Sequence, residues 1–246
     1  MAINLYYNLY TPRDPLRAAE IASCFGVLNR DPEIARVILL TESAENASSS
    51  RISYWQVPSR PTFQDFFNSV KVHSSGDDVN IIINSDCFID PRTTRRLKKI
   101  KPGQAYCITR HELTSLVPLR VDKGKSPCRR YDMQDCWVVR GPLRDGMHLD
   151  FPMGILGCDN RFAHELEAVG YSILDPCLTI RVMHYHLSAD RSAERDIRVP
   201  PPYAFPKKHG ARAFIYEFAV KVSCSLRRRF ARMRNVLRRQ GSGEST

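Results

Sequence analysis

The sequence has no C-x-x-C pair, no apolar run approaching 18 residues and no internal repeat. Eight cysteines scattered at 24, 87, 107, 128, 136, 158, 177 and 224 give no finger spacing, and they are expected to be reduced, with Cys87, Cys107 and Cys177 packing as small hydrophobes. The shortness of the apolar runs predicts no membrane span. The first residues, MAINLYYNLYTPRD, have neither a basic n-region nor an apolar h-region, so no secretory signal is expected and a cytoplasmic location is the simplest reading. There is also no G-x-G-x-x-G fingerprint, G-x-x-x-x-G-K-[ST] loop, H-E-x-x-H or G-x-S-x-G elbow. Rossmann hydride transfer, P-loop hydrolysis, zincin chemistry and α/β-hydrolase chemistry all lose ground.

What is present is a chain of 246 residues, 43% hydrophobic and 26% charged, long enough to bury a core without metal or disulfide help. Its net charge of +11 is unevenly placed: residues 206–246 hold eleven basic and two acidic side chains, so the body is close to neutral. A basic excess points toward nucleic acid, anionic membrane or polyphosphate. The body offers no nucleic-acid reader motif, and the charge belongs to the tail.

Along the chain, the spacing predicts a strand over 3–10, a helix over 15–28 and a strand over 36–40, which is a βαβ opening and favours a mostly parallel sheet. The pattern continues with a strand over 52–57, a helix over 62–70 and a central strand over 79–84. A basic turn or short helix is expected over 95–101, strands over 104–110 and 136–140, and a polar loop over 124–135. A helix over 161–169 and strands over 171–174 and 178–186 follow. The expected organisation is an α/β domain over 1–190, a Pro-rich linker or wrapping segment over 191–211, and a basic amphipathic helix over 212–240.

Polar residues at strand ends are the candidates for chemistry, because open parallel sheets bind ligands beyond the carboxyl ends of their strands. Asp86, after the run Asn80-Ile81-Ile82-Ile83-Asn84-Ser85, reads either as a ligand to a cation or sugar or as an ordinary strand end. Asp159 in Gly157-Cys158-Asp159-Asn160 reads as a helix N-cap or as a general base, its charge favoured by the helix dipole. Asp132, Gln134 and Asp135 read as a grip for sugar hydroxyls or as a solvent-facing turn. His184 and His186, two apart on a strand, face one side together and would complete a mixed carboxylate and imidazole metal site if that side met Asp86; the other reading is a pair of core histidines.

The segments NIIINSDCFID (80–90), YDMQDCWVV (131–139), FPMGILGCDNR (151–161) and LDPCLTI (174–180), with the closing H-x-H, resemble in this order the GT-A-like glycosyltransferases of polysaccharide and surface-glycan assembly. The resemblance runs from about residue 4 to 188. It implies a single GT-A-like domain, a nucleoside-diphosphate sugar donor and a hydroxyl acceptor on a glycan or lipid-linked glycan. Asp86 would match the last carboxylate of the family's DxD element, His184 or His186 its late metal-binding histidine, and Asp159 its acceptor-activating base. Mn²⁺ or Mg²⁺ is the implied cofactor, although Asn84 stands where the fuller motif has an acid, which weakens metal binding.

On this resemblance the reaction is a displacement at the anomeric carbon with inversion. Tyr10, Thr11, Arg13, Asn84 and Asp86 would receive the donor, Gln134 and Asp135 would orient a sugar, and Asp135 is the reserve base. If no ion binds, Arg13, Lys101 or another cation would balance the diphosphate. The tail helix is expected to place the enzyme on an anionic membrane surface. The alternatives are an inactive sugar-binding scaffold of the same fold and a nucleic-acid-binding protein, with nucleic acid the less favoured partner.

Overall fold

Apolar residues in the long strands fall on both faces of each strand, so the sheet is covered on both sides and its strands read as largely apolar runs instead of alternating ones. The computed structural model describes residues 1–43, 49–115, 120–121, 133–188 and 197–210. Within them lie β1 (Ile3–Asn8), α1 (Pro15–Arg30), β2 (Arg36–Thr41), β3 (Ile52–Gln56), α2 (Phe63–His73), β4 (Val79–Ile83) and β5 (Cys87–Ile89). Next come α3 (Pro91–Thr94), a 3-10 turn (Arg95–Lys99), β6 (Gln104–Ser115), β7 (Arg120–Val121) and β8 (Gln134–Arg140). The last elements are α4 (Cys158–Ala168), β9 (Ser172–Asp175), β10 (Val182–His184) and β11 (Lys207–Lys208).

The protein is thus α/β, with a central, mostly parallel sheet flanked by helices, as the sequence predicts. The strand order is β11-β9-β6-β8-β4-β1-β2-β3. Along it β8 alone runs against the others, pairing antiparallel with both β4 and β6. The start of β8 therefore lies beside the carboxyl end of β4, which brings Asp135 against Asn84. One sheet face meets Ile21, Cys24 and Leu28 of α1. The other meets Phe63, Phe66 and Val70 of α2 and Phe162 and Leu166 of α4, with Trp137 of β8 edge-on to Phe63 and Phe162.

Local chemistry sets the helix starts. Asp14 caps α1 through the Leu16 N–H with Pro15 in the first turn, and Thr62 and Asp65 form a reciprocal capping box on α2. The start of α4 differs from expectation: the cap position is Gly157, not Asp159, which sits within the first turn. Gly157 has φ +84°, and a Cβ there would stand 2.9 Å from the Tyr203 hydroxyl, so both backbone and space demand glycine. The closing strand is also shorter than the expected 178–186, because the N–H groups of Thr179 and Ile180 both turn back onto the Pro176 carbonyl.

Within the segment expected as a linker or wrap, residues 197–210 lie against the body. Val199 and Ala204 are buried, and β11 pairs with β9. Lys208 reaches the Asp175 carboxylate, the two side chains 3% and 0% exposed, with Thr109 also in contact with the ammonium. The expected basic helix over 212–240, residues 191–196 and Asp132 lie outside the described residues. Among the described residues no helix is long and apolar enough to cross a membrane. Replacing one partner of a buried ion pair strands the other, so Lys208→Met is expected to destabilise the fold by roughly 3–5 kcal/mol in chemical denaturation; an unchanged midpoint would show that β11 does not hold to the body.

Candidate functional site

The sheet edge formed by the ends of β1 and β4 and the start of β8 gathers most of the candidate residues. Asp86 follows β4 in the turn to β5, and the register of β10 decides what it meets. His184 pairs with Cys87 on one side and with Glu112 of β6 on the other. After His184 the chain stays close, the Tyr185 N–H donating to the Asp86 carbonyl at 2.8 Å. Both imidazoles of the H-x-H pair thereby face the Asp86 carboxylate: His184 Nε2 is 3.1 Å and His186 Nδ1 3.7 Å from Oδ2.

Among the described residues, Asp86, His184 and His186 form the one group with three metal-donor atoms close together, all within 4.8 Å of one another. One carboxylate and two imidazoles fit a divalent ion, and the nitrogen donors suit Mn²⁺ better than Mg²⁺, which prefers an all-oxygen shell. Glu112 accepts from His184 Nδ1 at 2.6 Å, which turns Nε2 toward Asp86. Arg17, from the first turn of α1, donates to Asp86 Oδ2 at 2.6 Å and to Glu20 at 3.1 Å. Glu20 in turn accepts from the backbone N–H groups of Leu187 and Ser188, tethering the segment that carries His186.

A second line of polar contacts runs from this cluster across the sheet. Arg110 bonds Glu112 at 2.9 Å and Asp135 at 2.8 Å, and Asn84 donates to the other oxygen of Asp135. Gln134 bonds Asn160 at 3.0 Å, beside Asp159. Tyr10, Thr11 and Arg13 are exposed on the loop between β1 and α1, at the same edge. Lys101 is placed elsewhere: it precedes the start of β6, at the opposite edge of the sheet, and so does not serve this site.

Four residues here escape the sequence reading. Arg17 and Glu20 look like an ordinary helix pair three residues apart, and nothing local says that they fold over a residue 69 positions away. Arg110 and Glu112 carry a weak signal, a charged R-H-E run prolonging an otherwise apolar strand that the spacing ends at 110.

Electrostatics pushes the carboxylates apart. Burial would raise the Asp86 carboxyl, but His184, His186 and Arg17 hold it well below the usual range. Burial likewise opposes charge on His184, and Asp86 and Glu112 outweigh it, lifting the imidazole to about 9. Burial also works against the Glu112 carboxylate, yet His184 and Arg110 bring it down to about 2. Asp159 goes the other way. Burial, helped by the Asp135 charge, pushes it up to about 7 in spite of the N–H groups of Asn160 and Gln134. The helix dipole expected to keep it ionised is therefore outweighed by desolvation.

No protein-family model matches the chain, and no curated protein does. Among solved structures, it is similar to S. aureus TarS in complex with UDP-GlcNAc, at 8% identity and a TM-score of 0.43, with 85% of this chain covered. It spans 59% of that TarS fragment's length. It is also similar to a 2-C-methyl-D-erythritol 4-phosphate cytidylyltransferase from Francisella tularensis, at 12% identity and a TM-score of 0.38, covering 71% of this chain and 90% of that one. A third likeness is to a 4-diphosphocytidyl-2C-methyl-D-erythritol synthase from Anaerococcus prevotii, at 14% identity and a TM-score of 0.35, covering 56% and 70%.

The raised Asp159 value has a stability consequence with a definite sign. The native state holds the proton more tightly than the unfolded chain, so between pH 3.8 and about 7 stability falls as pH rises. Asp159→Asn removes that ionisation, and denaturation at pH 8 is expected to find the variant more stable than the parent by about 1–3 kcal/mol, with the difference closing toward pH 4. A difference that does not vary with pH would place Asp159 in water.

Proposed function

We propose that the chain is a nucleotide-sugar-dependent glycosyltransferase of GT-A-like fold that inverts configuration at the transferred sugar. The observation that carries the reading is a pair of carboxylates at one sheet edge driven in opposite directions, Asp159 up to about 7 and Asp86 well down. Such a split supports a role in proton transfer for the first group and in permanent charge for the second.

In this reading Asp159 accepts the proton of the acceptor hydroxyl, with roughly equal populations of acid and base near neutral pH. The oxygen attacks the anomeric carbon from the face opposite the diphosphate. Asp135 is less suited to that task, since Asn84 and Arg110 engage its two oxygens; with Gln134 it orients the sugar. Tyr10, Thr11 and Arg13 receive the nucleotide. Asp86, His184 and His186 would hold Mn²⁺, or less favourably Mg²⁺, which when bound supplies positive charge to the departing diphosphate.

The acceptor is a glycan or lipid-linked glycan, and the basic tail over 212–240 brings the enzyme to an anionic membrane surface. A second reading, an inactive sugar-binding scaffold, is favoured by one contact: Arg17 already neutralises Asp86.

The test is a panel of nucleoside-diphosphate sugars assayed by calorimetry and by release of nucleoside diphosphate, with Mn²⁺ and with EDTA. One donor is expected to bind and turn over. Asp159→Asn is expected to bind it equally well and to lose about 10²–10⁴-fold in turnover. Full turnover by that variant would remove Asp159 as base; donor binding without turnover by the parent chain would favour the scaffold; no binding across the panel would remove the class.

A further inference from the structure

The Asp86 carboxylate uses its two oxygens unequally. Oδ2 carries Arg17 at 2.6 Å, His184 at 3.1 Å and His186 at 3.7 Å, whereas Oδ1 meets the Cys87 thiol in a weak contact at 3.6 Å. The guanidinium is thus lodged on the oxygen toward which both imidazoles also point. It is also well buried, its side chain 10% exposed, and it is held from behind by Glu20. Glu20 does not depend on Arg17 for its place, since Leu187, Ser188 and the Ser188 hydroxyl also donate to it.

We propose that Arg17 is a resident cation that competes with a divalent ion for Asp86: it holds the carboxylate in the ion-free protein and leaves Oδ2 when Mn²⁺ binds. The inference rests on reading Asp86, His184 and His186 as a divalent-cation site. An ion held by Oδ2 and the two imidazoles replaces the proton between His184 and Oδ2 and brings a doubly charged centre against the guanidinium on the same oxygen, so the ion and the Arg17 contact weaken each other. Displaced from Asp86, a guanidinium on α1 stands at the edge where the loop bearing Tyr10, Thr11 and Arg13 lies, and its fork suits the diphosphate of a nucleotide donor.

A supporting role and a competing role predict opposite signs. If Arg17 merely positions Asp86, its removal weakens Mn²⁺ binding; if it competes, its removal tightens it. Mn²⁺ affinity of the full chain, measured without donor by the paramagnetic signal of free Mn²⁺, is expected to rise on the order of tenfold in Arg17→Gln and to stay near the parent value in Arg17→Lys, which keeps the charge. Unchanged or weaker binding in Arg17→Gln, or no binding by parent and variant alike, would overturn the proposal.

A measurement on the unmodified protein guards against a variant that does not fold. Saturating Zn²⁺, a diamagnetic stand-in, is expected to shift the Arg17 guanidinium ¹⁵N–H signals and abolish their protection from exchange; signals that stay put would overturn the proposal equally. Because neither arm contains a sugar nucleotide, failure of the glycosyltransferase reading leaves both outcomes interpretable.

Discussion

The arrangement turns on a half-hidden carboxylate at the end of a central strand. Asp86 lies where desolvation opposes its charge, and an ionised group left there alone would cost several kcal/mol. Three cationic or potentially cationic side chains answer it, and they come from distant parts of the chain: Arg17 from the first helix, His184 from the end of β10 and His186 from just beyond it. The same contacts tie α1 to the closing segment, because Glu20 holds both Arg17 and the backbone at 187 and 188. The charge balance of one residue and the placement of the outermost polar segment are therefore a single constraint.

How far these features can be read beforehand depends on whether the cause is local. Ile81 to Ile83 announce a strand covered on both faces, and Asp14 with Pro15, or Thr62 with Asp65, announce helix starts, because each signal acts within a few residues. Asp86 and the H-x-H pair are legible as candidates for the same reason, one at a strand end and the other at a spacing of two. Their meeting was only a condition in the sequence, and it is set by the register of β10 between β5 and β6. Arg17 and Glu20 have no such local mark. The need for glycine at 157 is hidden in part because the Tyr203 hydroxyl that crowds it lies 46 positions downstream. The raised Asp159 value escapes the sequence for a related reason: the dipole of its own helix is a local effect, whereas burial and the Asp135 charge are tertiary ones.

Asn84 is the place where sequence and structure bear on each other most closely. Taken by itself, an amide in a position where an acid is expected removes charge from a cation site. In the fold that amide donates to Asp135, whose other oxygen is held by Arg110. An aspartate at 84 would set two carboxylates against each other at hydrogen-bond distance, and one would have to take up a proton. The antiparallel insertion of β8 beside β4 creates that proximity, so the amide follows from the topology. His186 faces Asp86 at 3.7 Å without adding negative charge. Asp86 is then the one carboxylate that the two imidazoles and Arg17 meet directly, with Glu112 behind His184 and Glu20 behind Arg17, and the charge on each of these groups depends on what the others hold.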